Sequence, residues 1–172
     1  MRWIKAQKEL ESRLADCLKE RVCYNFDGDE LESGGYIEAF RITVDGETWF
    51  ATNKELWHNK VLEYGSQHTK PKNNSYWGLT PEARRYGVIM ATKETGTVSV
   101  YITEDIIQKY LNIYKIDKCL NNDNYLFRVL AVLDHRTGRR KIKKLLENID
   151  SEPEWFRKYI ILRAEAQNIY IG

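Results

Sequence analysis

With 172 residues, 42% hydrophobic and 12% aromatic, the chain has the size of one ordinary domain and enough apolar material for a core without staples. A formal net charge of +2 neither requires nor excludes a nucleic-acid partner. No run approaches the roughly 18 apolar residues of a membrane span, so no membrane partner is expected. Three cysteines at no paired spacing, and an N-terminus that turns polar at Lys5, point to a reducing cytoplasm.

Residues 3 to about 20 predict an amphipathic helix, with Ile4, Leu10, Leu14, Cys17 and Leu18 at helical spacing and Cys17 on the core face. Arg21 to Phe26 predicts a short strand, followed by an acidic, glycine-bearing loop from Asp27 to Gly35. Phe40, Ile42 and Val44 then alternate with Arg41 and Thr43, Asp45-Gly46 follows, and Thr48 to Phe50 returns. That pattern predicts a tight hairpin, because both turn residues tolerate positive φ. Its apolar face should pack on the first helix. Asn53 predicts the cap of a helix to about Tyr64, and Gly65 to Leu79 forms the longest irregular stretch. Thr80-Pro81-Glu82 starts a helix to about Thr92, which Gly87 weakens. Val98, Val100 and Ile102 alternate as a short strand, and Thr103 caps the helix after it. Further helices are expected near 116–120, 123–135, 139–149 and 153–168, with Trp155, Phe156, Tyr159, Ile160 and Leu162 as core. The expected fold is α+β within a single domain, 1–172. An N-terminal helix, a three-stranded antiparallel sheet and a helix (1–64) precede a mainly helical portion (80–172).

Known chemistry finds little purchase. His58, His68 and His135 lack ligand spacing, the cysteines form no Cys-x-x-Cys, and no phosphate-binding glycine motif follows a strand, so neither metal nor cofactor is expected. Cys23 with His58 is the least unfavourable nucleophile pairing, beside the plainer alternative of a buried strand cysteine near a surface histidine. Glu38-Ala39-Phe40 lacks the lysine of a metal-dependent nuclease.

Two features stand out. From Arg136 to Lys144 six of nine residues are basic: Arg136, Arg139, Arg140, Lys141, Lys143 and Lys144. At a helix start such cations oppose the macrodipole and together with free amides favour an anion. Alternatively, Asp134 pairs with Arg136, Arg139 or Arg140 and the lysines form a solvated face. The second feature is Tyr76-Trp77 in the long loop, suited to anchoring a partner or stacking on bases, or else to pinning the loop to the domain.

The helix–three strands–helix order resembles a double-stranded-RNA-binding domain, a family that grips phosphates with lysines entering its second helix. Here that stretch holds Lys54 and Lys60 with Glu55 between, and Leu56 and Trp57 where small residues would stand. Residues 130–140, with the run Asp134-x-Arg136-x-Gly138-x-Arg140, together with 153–155 and 162–166, are similar to a small uncharacterised bacterial protein family. In that family such a turn joins two helices. The resemblance implies a shared fold and a bacterial or phage origin, and no activity. The expected function is a non-enzymatic interaction protein, with a protein as partner. The alternative is a nucleic-acid-binding module using residues 136–144.

Overall fold

The computed structural model describes residues 3–27 and 39–170. Helix α1 (Trp3–Arg13) leads into an antiparallel sheet of β1 (Val22–Asp27), β2 (Ala39–Val44) and β3 (Glu47–Ala51), in the order β1-β2-β3. Helices α2 (Lys54–Ser66) and α3 (Pro81–Thr95) follow, then α4 (Val100–Asn112), α5 (Ile116–Leu120), α6 (Tyr125–Leu133), α7 (Arg139–Glu147) and α8 (Glu154–Ala166). The α+β class stands as expected. Asp27, expected in the acidic loop, closes β1; the rest of that loop, with Gly34 and Gly35, and Glu38 lie outside the described residues.

The hairpin forms as its alternation predicts. Asp45 and Gly46 both take positive φ, 51° and 86°, the pair of conformations a two-residue primed turn needs. Phe40, Ile42 and Val44 are buried while Arg41 and Thr43 stay half-buried, and α1 packs on this sheet, with Trp3 stacked 5.1 Å from Phe26. The buried cluster continues through α4, α6 and α8, where Leu126, Leu130, Leu133, Phe156, Tyr159 and Ile160 are fully enclosed. Trp155 is only half-buried.

Four expectations need correction. The first helix ends at Arg13, short of residue 20, because tertiary backbone bonds capture the chain there. Ala15 N–H donates to the Leu133 carbonyl at 2.9 Å and His135 N–H to that of Arg13 at 2.8 Å. Only a single 3-10 turn follows, Asp16–Leu18, which breaks the helical register and leaves Cys17 exposed and outside the core. Val98, Val100 and Ile102 form no strand. Ser99 caps α4 by accepting from Tyr101 N–H at 3.4 Å, and Thr103 sits inside that helix with its hydroxyl on the Ser99 carbonyl. A cap one turn earlier than Thr103, plus burial of Thr103, Ile106, Ile107, Tyr110 and Leu111 at helical spacing, outweighs the β-branched pattern.

Helices α2 and α3 pack closely because of two glycines. A Cβ on Gly87 would lie 2.4 Å from the Val61 carbonyl, and one on Gly65 2.7 Å from Leu79. Trp57 is fully buried at this contact, its indole N–H donating to the Thr92 hydroxyl at 3.2 Å. Gly87, read from sequence as a weakness, is what admits the neighbouring helix.

Candidate interaction surfaces

The basic run divides at Asp134, whose side chain is wholly buried where α6 ends. Its carboxylate accepts from the Arg136 backbone N–H at 2.7 Å, from Arg136 Nε at 3.0 Å and Nη2 at 2.6 Å, and from the Tyr110 hydroxyl. Burial pushes the carboxyl up, but the bonds from Arg136 and Tyr110 outweigh it and hold it below the usual carboxylate range. The same environment pushes the Tyr110 hydroxyl well above its ordinary range, by burial first and then by the Asp134 charge. Arg163, 1% exposed, supports the turn from α8, with Nη2 3.2 Å from the Thr137 carbonyl and Nη1 3.4 Å from Cys17 Sγ. Thr137 is buried too, its hydroxyl donating to the Ala131 carbonyl at 2.6 Å. These bonds join the 3-10 turn Asp16–Leu18, α4, the end of α6 and α8. They form a structural node.

The remaining cations go elsewhere. Arg139 reaches the Gln167 and Asn168 carbonyls at the end of α8, where a helix C-terminus favours positive charge. Lys141 pairs with Asp117 of α5 at 2.5 Å. Arg140, Lys143 and Lys144 project from the exposed face of α7, opposite buried Ile142, and make no ion pair among the described residues. Of the three arginines offered to Asp134, Arg136 is the one that meets it.

Tyr76 and Trp77 also separate. Tyr76 is half-buried, stacked on His58 at 5.0 Å and near Trp57 at 5.9 Å, and pins the loop to α2. Burial and the nearby Lys54 lower the His58 pKa, which favours the neutral ring against Tyr76. Trp77 is 77% exposed. Its backbone is nonetheless clamped. Arg84 Nη2 donates to the Trp77 and Leu79 carbonyls at 3.2 Å each, with its guanidinium over the Tyr76 and Trp77 rings at 5.0 and 5.5 Å. Gly78 passes so close to Lys72 that a Cβ would lie 1.9 Å from its carbonyl oxygen. Lys70 and Lys72, on the same loop, are exposed and unpaired among the described residues. Nothing in the linear pattern marked Arg84, Tyr110 or Arg163, whose roles depend on contacts between distant segments.

Of the duplex-RNA-like features, the element order α–β–β–β–α is present, but α2 packs chiefly on α3. Lys54 lies over the Tyr101 ring at 4.8 Å, and Lys60 pairs with Glu63 and Glu94 at 3.0 Å each. His58 is occupied by Tyr76, and Cys23 is exposed on β1. Among the described residues no group of His, Cys, Asp or Glu is placed to hold a metal ion, and no helix is long and apolar enough to cross a membrane.

No curated protein and no solved structure matches the chain. One family model does, over residues 2–164, nearly the whole sequence. The chain therefore belongs to the SF0329 protein family.

Proposed function

We propose that the protein is a non-enzymatic interaction protein of a bacterium or its phage, of the inhibitor, immunity-protein or adaptor kind, acting in the cytoplasm on a protein partner. The observation that carries this reading is Trp77, a large apolar side chain left 77% exposed on a loop whose backbone is held by Arg84 and Gly78. Interface anchors are enriched in tryptophan, and a rigid frame reduces the entropy lost on docking. Lys70 and Lys72, exposed on the same loop, suit an acidic partner. The test is affinity capture from the native host, with and without nuclease, using wild type and Trp77→Ala. A nuclease-resistant protein should be recovered by wild type and lost from the variant, since a hot-spot truncation costs about 2 kcal/mol or more, roughly thirtyfold in affinity. Recovery that nuclease abolishes, or that Trp77→Ala leaves intact, refutes the reading.

A second reading rests on Arg140, Lys143 and Lys144, the unpaired cations of α7: nucleic-acid binding through that face. Its test is a mobility-shift titration at two salt concentrations with wild type and the Arg140/Lys143/Lys144 triple alanine variant.

A further inference from the structure

A groove of about 1040 Å³ opens between the end of α3 and the start of α8. Its apolar surface comes from Met90, Pro153, Trp155 and Ile161, the last 40% exposed. Trp155 is fixed at the base. Its indole N–H donates to the Lys93 carbonyl at 2.8 Å, and its ring lies so close to Gly96 that a Cβ there would sit 2.7 Å from it. Gly96 is the left-handed cap of α3, φ 65°, so the glycine that ends one helix also admits the tryptophan of the other.

The charges around the groove are not balanced in use. Glu94 is occupied by Lys60 at 3.0 Å and by the Tyr64 hydroxyl at 2.5 Å. Glu152 accepts from both terminal nitrogens of Arg128 and from the Tyr125 hydroxyl. Two acids on the rim are therefore committed to cations that do not line the groove. Arg157 turns toward Asp150 and the carbonyls of residues 150 and 152. Among the described residues Lys93 and Lys158 make no ion pair. Lys158 lies over the Trp49 ring at 4.7 Å, and burial lowers its pKa although Glu47 opposes the shift. Among the described residues, two lining cations without an ion pair thus face one lining acid without one, Glu154.

We infer that this groove is a docking site for an acidic protein segment carrying a bulky apolar side chain, which would sit against Met90, Trp155 and Ile161 while its carboxylates meet Lys93 and Lys158. The inference rests on the reading of a protein partner, but uses a surface that does not include Trp77.

The test uses the full, 15N-labelled chain and three probes: a short peptide of glutamates interleaved with leucine and tryptophan, the same peptide with lysines for glutamates, and oligothymidylate. The Trp155 indole resonance reports the groove and that of Trp77 reports the loop. The acidic peptide should shift Trp155 and leave Trp77 unmoved, and the lysine peptide should not bind. Lys93→Glu and Ile161→Asp should each weaken binding at least tenfold. Lys93 is exposed, so its variant carries the test alone should Ile161→Asp unfold. An unmoved Trp155, equal binding of the two peptides, comparable binding of oligothymidylate at Trp155, or indifference to Lys93→Glu overturns the inference. Perturbation at Trp77 alone overturns the groove and leaves the proposed function standing. Groove binding together with a host partner indifferent to Trp77→Ala does the reverse.

Discussion

Replacing Asp134 with alanine should be among the most costly single substitutions in this protein. It removes the acceptor for the Arg136 N–H, the Arg136 guanidinium and the Tyr110 hydroxyl at a point where the carboxylate itself has no exposure. Breaking a buried pair by removing one partner costs about 3–5 kcal/mol. Tyr110 keeps the Leu130 carbonyl at 3.1 Å, and the Arg136 side chain is 35% exposed, so water recovers part of the loss. The expected cost is then about 3 kcal/mol, a drop of roughly 6–12 °C in melting temperature at this chain length. Urea titration followed by circular dichroism, at unchanged slope, measures it. Arg136→Ala should cost a similar amount, since it strands a buried carboxylate. Arg139→Ala should cost less than about 1 kcal/mol, and Arg140→Ala nothing measurable. There is also a pH signature. Because the folded carboxyl lies below its unfolded value of about 3.9, its contribution is complete above that pH and is lost as pH falls through the folded value. The Asp134→Ala variant should lack that part of the acid limb. A loss under 1 kcal/mol, or an equal loss in Arg140→Ala, refutes the structural role assigned to the turn.

Gly87→Ala would gain about 0.8–1 kcal/mol in an isolated helix, yet here it should destabilise by about 1–3 kcal/mol, because the methyl group meets the Val61 carbonyl at 2.4 Å. Denaturant titration decides the sign, and a stabilised variant means the helices do not approach this closely. Gly78→Ala should displace the Trp77 loop while leaving the rest of the fold in place, visible as amide shifts confined to residues near 70–84; an unperturbed Trp77 indole resonance would deny the clamp. His58, whose folded pKa is depressed by burial and then by Lys54, contributes stability that is full above the unfolded value of about 6.5 and lost as pH falls. Wild type should therefore weaken more than His58→Asn between pH 7.5 and 5.5, and parallel loss in the two proteins would separate His58 from the loop it supports.

The parts of the fold legible in the sequence are those governed by local chemistry. Asp45-Gly46, Asn53, and Thr80 before Pro81 each satisfy backbone groups within a few residues, and the hairpin and both helix starts follow from them. Legibility fails where a distant segment competes. Leu14 to Cys17 continue a helical pattern, but the chain at Leu133 and His135 supplies backbone partners that α1 cannot, so the helix stops at Arg13. Val98 to Ile102 alternate like a strand but join no strand among the described residues, and the Ser99 cap starts α4 at Val100. The candidate surfaces were legible as chemistry and not as geometry. Tyr76 and Trp77 are adjacent in sequence, yet one pins and the other projects, and Arg84 arrives from α3 to hold the backbone just after them, at the Trp77 and Leu79 carbonyls.

The same division bears on what the α7 face can bind. Six basic residues in nine suggest a strong anion site, but Arg136 answers to Asp134, Arg139 to the end of α8, and Lys141 to Asp117. Three cations remain. Releasing about 0.9 counterion per phosphate on duplex DNA, they support a log–log salt slope no steeper than about −2.7. Raising salt from 50 to 200 mM would then weaken binding by about fortyfold, against roughly 10³ to 10⁵ for proteins that neutralise six to ten phosphates. An affinity built on so few contacts is weak at physiological salt, which is why the exposed Trp77 carries the proposed function and α7 does not. The expected outcome of the mobility-shift titration is no duplex retained at physiological salt, and a slope near −2.7 or shallower where binding is seen at low salt. A slope steeper than about −4, reduced by the Arg140/Lys143/Lys144 triple alanine variant, would mean that the bonds holding Arg136, Arg139 and Lys141 open on binding, and would place nucleic acid ahead of a protein partner.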